Sequence, residues 1–418
     1  MIQTLPTIKY TLWATENNEV YMPGAAHKTC TFNKTGASQQ MTLFTNNQGF
    51  VRIYVRPSGP SDEIAHFQLQ YTVGQTIYNQ PVEFIIEARP LHRFPLSGVG
   101  EPPLSELLVR GALNEKQILE LPDEALYEMG YPLRPDIHAA PGAYKIWLKA
   151  VTQPTKIVAP DTTENPSMKY RAAIPTTNGS RSGFLMEGPL KESTSNYVLV
   201  MGTIQVPTVS TANTDITFAS AWVGLDNYQT DLVQAGIQFA CVNVALETFT
   251  LTISAYNAWT EYLATQQTAI MIDNFNVGIG DEIFVQVWIG NAAVKHAGRP
   301  PTYPPPNLNG AYCIFHLENI TNPHVVTIVT PRTLLVGGVC AEWIVERPLN
   351  VVTGEVSTPP NFTPFSISGA CVQNTAGATL QYQAECNLQI TMQDGAVTYA
   401  NVAVVDSETM EFSYGAAG

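Results

Sequence analysis

The stretch Cys340–Pro348 reads CAEWIVERP, and its alternation decides the fold. In an extended chain successive side chains point to opposite faces, so Glu342, Ile344 and Glu346 share one side and Trp343, Val345 and Arg347 the other. Two carboxylates on one face of an otherwise apolar strand are costly to bury unless paired, hydrogen-bonded or protonated. Such a strand is either a half-solvated sheet face or a working site.

The same parity runs through three more segments. In AWVGLD (Ala221–Asp226), Trp222, Gly224 and Asp226 share a face; in VQAGIQF (Val233–Phe239), Gln234, Gly236 and Gln238 do; in YNAWTEY (Tyr256–Tyr262), Asn257, Trp259 and Glu261 do. Val223, Leu225, Val233, Ala235 and Ile237 fall on the other side. The pattern predicts a sheet with one wet, polar and aromatic face and one dry packing face. A ligand groove and a merely solvent-exposed sheet both fit that parity.

Outward from these strands the second part of the chain stays β-rich. Runs at Tyr197–Gln205, Phe249–Ala255, Glu282–Ile289, Ala311–Glu318, His324–Thr330, Thr363–Cys371 and Ala396–Val404 predict one large antiparallel β-sandwich over 182–418, an all-β domain. Residues 1–95 carry β-runs at Met41–Phe44, Phe50–Val55, Ala65–Val73 and Val82–Ala88, broken by turn-rich pieces, and predict a small β-sandwich accessory domain. Between them, LSELLVRGA, LNEKQILELPDEALYEMG and PGAYKIWLKAV show apolar residues at three- and four-residue spacing, so 96–152 is expected to be helical, with Gly130 a stop and Pro141 a start. Residues 153–181, rich in Pro, Thr, Asn and Ser, are expected to form an exposed linker.

Charge divides the chain at the same place. Residues 1–181 carry 16 Lys and Arg against 16 Asp and Glu, whereas 182–418 carry 5 against 19, so the net charge of -14 resides entirely in the second part. A domain so short of cations cannot track a phosphate backbone, which disfavours nucleic acid as a partner. It suits acid, since few positive charges remain to repel one another once its carboxylates protonate, and the same acidity equally serves plain solubility. The six cysteines are scattered without CxxC or Cys/His spacing, so no metal site is expected. Their even number permits disulfides and equally permits free buried thiols. No run reaches about 18 apolar residues, and the N-terminus lacks a basic stretch followed by an apolar one, so neither a membrane segment nor a signal is expected.

Six pieces in order, WVGLD, LVQAGIQF, AWTEY, GDEIFVQV (Gly280–Val287), FHLENIT (Phe315–Thr321) and AEWIVERP, resemble the glutamic peptidase (eqolisin) family. The resemblance covers about residues 182–418 and implies a concanavalin-like β-sandwich that hydrolyses polypeptides in acid as an endopeptidase, without metal or cofactor. The family's catalytic Gln and Glu correspond to Gln234 and Glu342, with Trp222, Asp226, Trp259, Glu261 and Glu346 at positions lining the substrate groove. The resemblance implies an exported protein. It departs in three places: Gln238 and Asn257 stand where acids are common, and Arg181-Ser182-Gly183 stands where the family carries Trp-Ser-Gly. Tyr131–Val151 resembles the region preceding the catalytic domain in bacterial members, which implies a zymogen with an intramolecular pro-segment over the active site. A non-catalytic β-sandwich binding peptide or carbohydrate with the same face is the alternative.

Overall fold

The computed structural model describes residues 1–26, 28–36, 40–45, 49–59, 63–87, 108–160, 162–164, 168–169, 177–178, 181–187, 197–212, 215–226, 232–263, 269–290, 312–330, 338–350, 355–374, 377–382 and 388–415. Two sheets packed face to face form its centre. The first runs, strand by antiparallel strand, through Asn18–Pro23, Phe50–Pro57, Thr250–Tyr262, Val233–Ala245, Thr217–Asp226, Cys340–Glu346, Arg181–Glu187 and Leu388–Asp394. The second runs through Leu108–Arg110, Thr155–Ile157, His324–Val329, Tyr312–Asn319, Glu282–Gly290, Tyr197–Gln205, Phe365–Asn374, Thr409–Tyr414, Val397–Asp406 and again Leu388–Asp394, which therefore joins the two.

The alternation of the sequence explains the packing. Val223, Leu225, Val233, Ala235 and Ile237 turn inward and meet Val285, Val287, Phe315, Leu317 and Ile367 of the second sheet in one continuous core. Each Val, Leu, Ile or Phe among them contributes about 1.5–3 kcal/mol on burial. An all-β sandwich is thus observed where it was expected. Tyr197–Gln205 is buried on both faces apart from Gln205, so it reads as a continuous apolar run.

A helical layer covers the outer face of the second sheet. Asn114 caps Glu115–Glu120 with a reciprocal bond to Gln117, Gly130 takes φ 86° after Asp123–Glu128, and Pro141 opens Pro141–Val151. Leu133, Ala140, Ala143 and Ala150 pack on Leu199, Met201, Phe284 and Trp288. Buried polar contacts fix the register: Gln286 accepts from the Leu133 N–H and donates to its carbonyl, both at 2.9 Å, and Glu408 accepts the N–H groups of Gly142 and Ala143 at the helix start.

Three expectations change here. LSELLVRGA is not a described helix: its first residues lie outside the described set, and Leu108–Arg110 is a strand on Thr155–Ile157. The stretch 153–181 supplies strands as well, Thr155–Ile157 beside His324–Val329 and Thr162–Glu164 beside Ile270–Ile272, because short polar segments pair readily with open sheet edges. The N-terminal layer shares a sheet with the large domain. Phe50–Pro57 is hydrogen-bonded to Thr250–Tyr262, and the sheet of Ile8–Trp13, Thr29–Lys34, Met41–Phe44, Ile64–Val73 and Thr76–Glu87 packs with Val242, Leu251, Ile253 and Ala255 in one core.

Candidate active site

Backbone register places the site. Across the first sheet Glu342 stands between Leu185 and Gly224, Gly224 stands opposite Gln234, and Gln234 stands opposite Glu261. The next row holds Ile344, Trp222, Gly236 and Trp259, and the one after it Arg181, Glu346, Ser220, Gln238 and Asn257. Asp226 ends its strand opposite Cys340. All seven expected site residues therefore lie on four adjacent strands.

Glu342 and Gln234 are separated by one intervening strand, so their Cα atoms are about 10 Å apart at the usual strand spacing. Gly224 is what lies between them, and it puts no side chain into the gap. Gly236 serves Trp222 in the same way: a Cβ there would come within 2.1 Å of the Ala221 carbonyl oxygen and 2.7 Å of Trp222 Cα.

The face is not wet. Trp222, Gln234, Trp259, Glu261 and Glu342 have no exposed surface, and Glu346 has 1 %. Trp222, Trp259, Ile344, Ile390, Leu232 and Met271 pack on one another with Phe44 of the N-terminal layer. Aromatic and aliphatic bulk on this face buries the polar groups, so these must be satisfied within the protein.

Arg181 does most of that. Its Nη1 donates to Glu342 Oε2 at 3.3 Å, its Nε lies 3.3 Å from Glu346 Oε1, and its guanidinium sits 5.1 Å from the centre of the Trp222 ring. Trp222 Nε1 donates to Glu346 Oε2 at 3.0 Å, and the Cys340 thiol lies 3.8 Å from Glu342 Oε1. Gln234 Nε2 donates to Glu261 Oε2 at 2.7 Å. Strand parity does not single out Arg181 or Cys340. The signal that finds Arg181 is the demand of two same-face carboxylates for a cation, in a domain with 5 Lys and Arg over 182–418.

The helical segment does not lie over this face. Pro141–Val151 packs on the opposite sheet, because the apolar side chains that complement it, Leu199, Met201, Phe284 and Trp288, point outward there. A second buried ionic group anchors it: Arg110 Nη2 to Glu318 Oε1 at 2.7 Å, with His316 Nε2 at 3.4 Å from Glu318 Oε2. Burial alone would raise the Glu318 carboxyl, but Arg110 and His316 outweigh it and hold the group below the usual carboxylate range. Burial pushes the His316 imidazole down, further than Glu318 restores it.

Among the described residues no group of three or more His, Cys, Asp or Glu is arranged to hold a metal ion, and no helix is long and apolar enough to cross a membrane. Cys30, Cys241, Cys313, Cys340 and Cys371 are buried thiols. A cavity of about 260 Å³ lies between the N-terminal layer and the far ends of the long strands, lined in part by Phe32, Phe67, Val242 and Ile253, and includes none of the site residues.

Residues 182–296 match the Peptidase A4 family. That span holds Trp222, Asp226, Gln234, Trp259 and Glu261 and ends before Glu342 and Glu346. No curated protein matches the chain. Among solved structures, scytalido-glutamic peptidase with a peptide-based transition-state analogue is similar at 19% identity, with 56% of this chain and 98% of that chain covered and a TM-score of 0.40. The same peptidase with a transition-state analogue inhibitor is similar at 18% identity, with the same coverage and a TM-score of 0.41.

Proposed function

We propose, from the premise that the large β-domain is that of a glutamic peptidase of the A4 family, that this chain is an acid-active endopeptidase whose Glu342 and Gln234 act on the same peptide bond. One observation carries the reading: the two side chains share a row of the sheet, with only Gly224 between them. Gly224 adds no side chain there, and a water and a scissile carbonyl would enter as Leu232, whose Cδ1 lies 3.0 Å from where a Gly224 Cβ would be, turns aside.

In this reading Glu342 takes a proton from water as the water oxygen bonds to the carbonyl carbon. It returns the proton to the amine nitrogen as the carbon–nitrogen bond breaks. Gln234 donates an amide N–H to the carbonyl oxygen as negative charge develops there; being neutral, it does so without titrating. Glu261 accepts one N–H of the Gln234 amide nitrogen, which fixes its orientation and leaves the second N–H for the carbonyl oxygen. Trp222, Trp259, Asp226 and Glu346 would flank the polypeptide, which reaches this buried face only where Phe44 and Leu232, packed against the tryptophans, give way.

The acid range follows from composition, since a domain with 5 Lys and Arg against 19 Asp and Glu gains little positive self-repulsion when its carboxylates protonate. With the helices on the opposite sheet, the zymogen reading rests on the N-terminal layer, whose Phe44 packs against the site face, and on a cut between Gln153 and Ser180, ahead of the strand that Arg181 starts. Incubation at pH 3–5 followed by N-terminal sequencing reads it; products beginning beyond Arg181 count against it.

Glu342→Gln tests the chemistry. It keeps shape and hydrogen-bonding capacity but cannot carry the proton, so cleavage of an unfolded protein should fall about 10²–10⁴-fold with the fold unchanged. Cleavage at the parent rate would overturn the peptidase reading of this face and leave the binding module in its place.

A further inference from the structure

We infer that Arg181 is a positioning residue of the cleavage reaction: it holds Glu342 ionised and in place, and so sets the lower pH limit of activity. This rests on the reading of Glu342 as the base. A carboxylate can accept a proton from water only while it is ionised, and in acid that is the state most easily lost. An opposite charge within about 4–6 Å favours the ionised form, by about 1–3 pH units for a carboxylate beside arginine.

The geometry is specific. Arg181 is 1 % exposed, and its strand lies directly against that of Glu342. One guanidinium spans two carboxylates four residues apart, Nη1 on Glu342 and Nε on Glu346. Trp222 faces the guanidinium with its ring and donates its Nε1–H to the other oxygen of Glu346. Arginine's rigid fork fits this bridge, whereas a lysine point charge would serve one carboxylate at a time. Each carboxylate also accepts from a further donor, Cys340 at Glu342 and Trp222 at Glu346.

The other ionisable groups around Glu342 oppose its charge. Glu346 shares its strand, Glu261 shares its row, and Asp226 and Glu187 hold the register positions on either side of Cys340. With Glu346 and Glu261 of like sign on the same buried face, Glu342 without Arg181 would take up a proton well before the solution became strongly acidic. The same cation limits the cost of burying two carboxylates on an apolar face.

The test is the pH profile of kcat/KM for peptide cleavage by the full chain. Arg181→Gln should raise the acid limb by about 1–3 pH units, with a smaller change in KM, and Arg181→Lys should restore part of the shift. Glu346→Gln, which leaves the guanidinium to Glu342 alone, should move the limb the other way. It carries the test if Arg181→Gln does not fold. An acid limb unmoved in folded Arg181→Gln, or unmoved in Glu346→Gln when the first variant fails to fold, overturns the inference. An inactive Glu342→Gln beside an unmoved limb sinks only the role of Arg181, whereas an active Glu342→Gln sinks the reading beneath it.

Discussion

Gly224 gives the sharpest perturbation of the site short of removing a reacting group. A Cβ at this position would lie 2.9 Å from the Val233 carbonyl oxygen, 3.0 Å from Leu232 Cδ1 and 3.1 Å from Gln234 Cβ. The leucine can turn away, but the carbonyl belongs to the backbone that carries Gln234, so Gly224→Ala must push that strand or its own aside. Overpacking of this kind costs about 1–3 kcal/mol, or a fall in Tm of about 2–4 °C per kcal/mol for a domain of this size. The effect on turnover should be larger. A displacement of about 1 Å between an oxyanion donor and a base can cost about 10²-fold, and the methyl group enters the gap where water and carbonyl must meet. The assay pairs peptide hydrolysis with thermal melting. Gly280→Ala is the comparison: Gly280 has φ +82° and nothing within 4 Å of its would-be Cβ, so alanine is strained there yet far from the dyad. Gly280→Ala should lose stability and keep its rate. If Gly224→Ala hydrolyses peptides as fast as Gly280→Ala, the gap between Glu342 and Gln234 is not where the reaction occurs.

Three further outcomes are expected. Gln234→Ala should lower kcat about 10²–10³-fold with a smaller effect on KM, measured by steady-state hydrolysis. His324 is buried beside the Phe275 ring and its imidazole is pushed down from 6.5 to about 4 by desolvation, so the folded state favours its neutral form. That preference stabilises fully above about pH 6.5 and is lost as pH falls toward about 4; His324→Gln should flatten the melting temperature across that window, and an unchanged slope there counts against it. Trp147→Ala removes a fully buried ring that donates to the Pro132 carbonyl at 2.9 Å; it should cost about 3–5 kcal/mol in urea unfolding.

The faces of the site strands were legible because period-two alternation depends only on the local chain. Gln234 and Glu342 lie 108 positions apart, yet parity put them on one face and the observed register put them in one row. Strand positions were legible for the same reason, their bounds less so: Tyr197–Gln205 and Met41–Phe44 occur as read and Pro141 opens a helix, whereas the run Phe249–Ala255 covers only the first half of Thr250–Tyr262. What alternation cannot state is what covers a face. Trp222, Trp259 and Ile344 look identical in sequence whether they meet solvent or one another, so a buried face was read as wet. The placement of the helices failed likewise, since Leu133, Ala143 and Ala150 offer an apolar stripe that suits either outer face. Thr155–Ile157 and Leu108–Arg110 are three-residue strands, too short for any period to register.

The strands Val233–Ala245 and Thr250–Tyr262 are 13 residues each, and they serve two masters. Their near halves carry Gln234 and Glu261; their far halves, through Val242, Leu251 and Ile253, complete the core of the N-terminal layer. Severing the chain ahead of Arg181 would break a covalent link but leave that shared core and the hydrogen bonds from Phe50–Pro57 intact. A nicked molecule would therefore persist as two chains held together. Expressing residues 182–418 alone would leave a naked ribbon end with apolar side chains and an unpaired edge, which is the form in which β-proteins stick to one another.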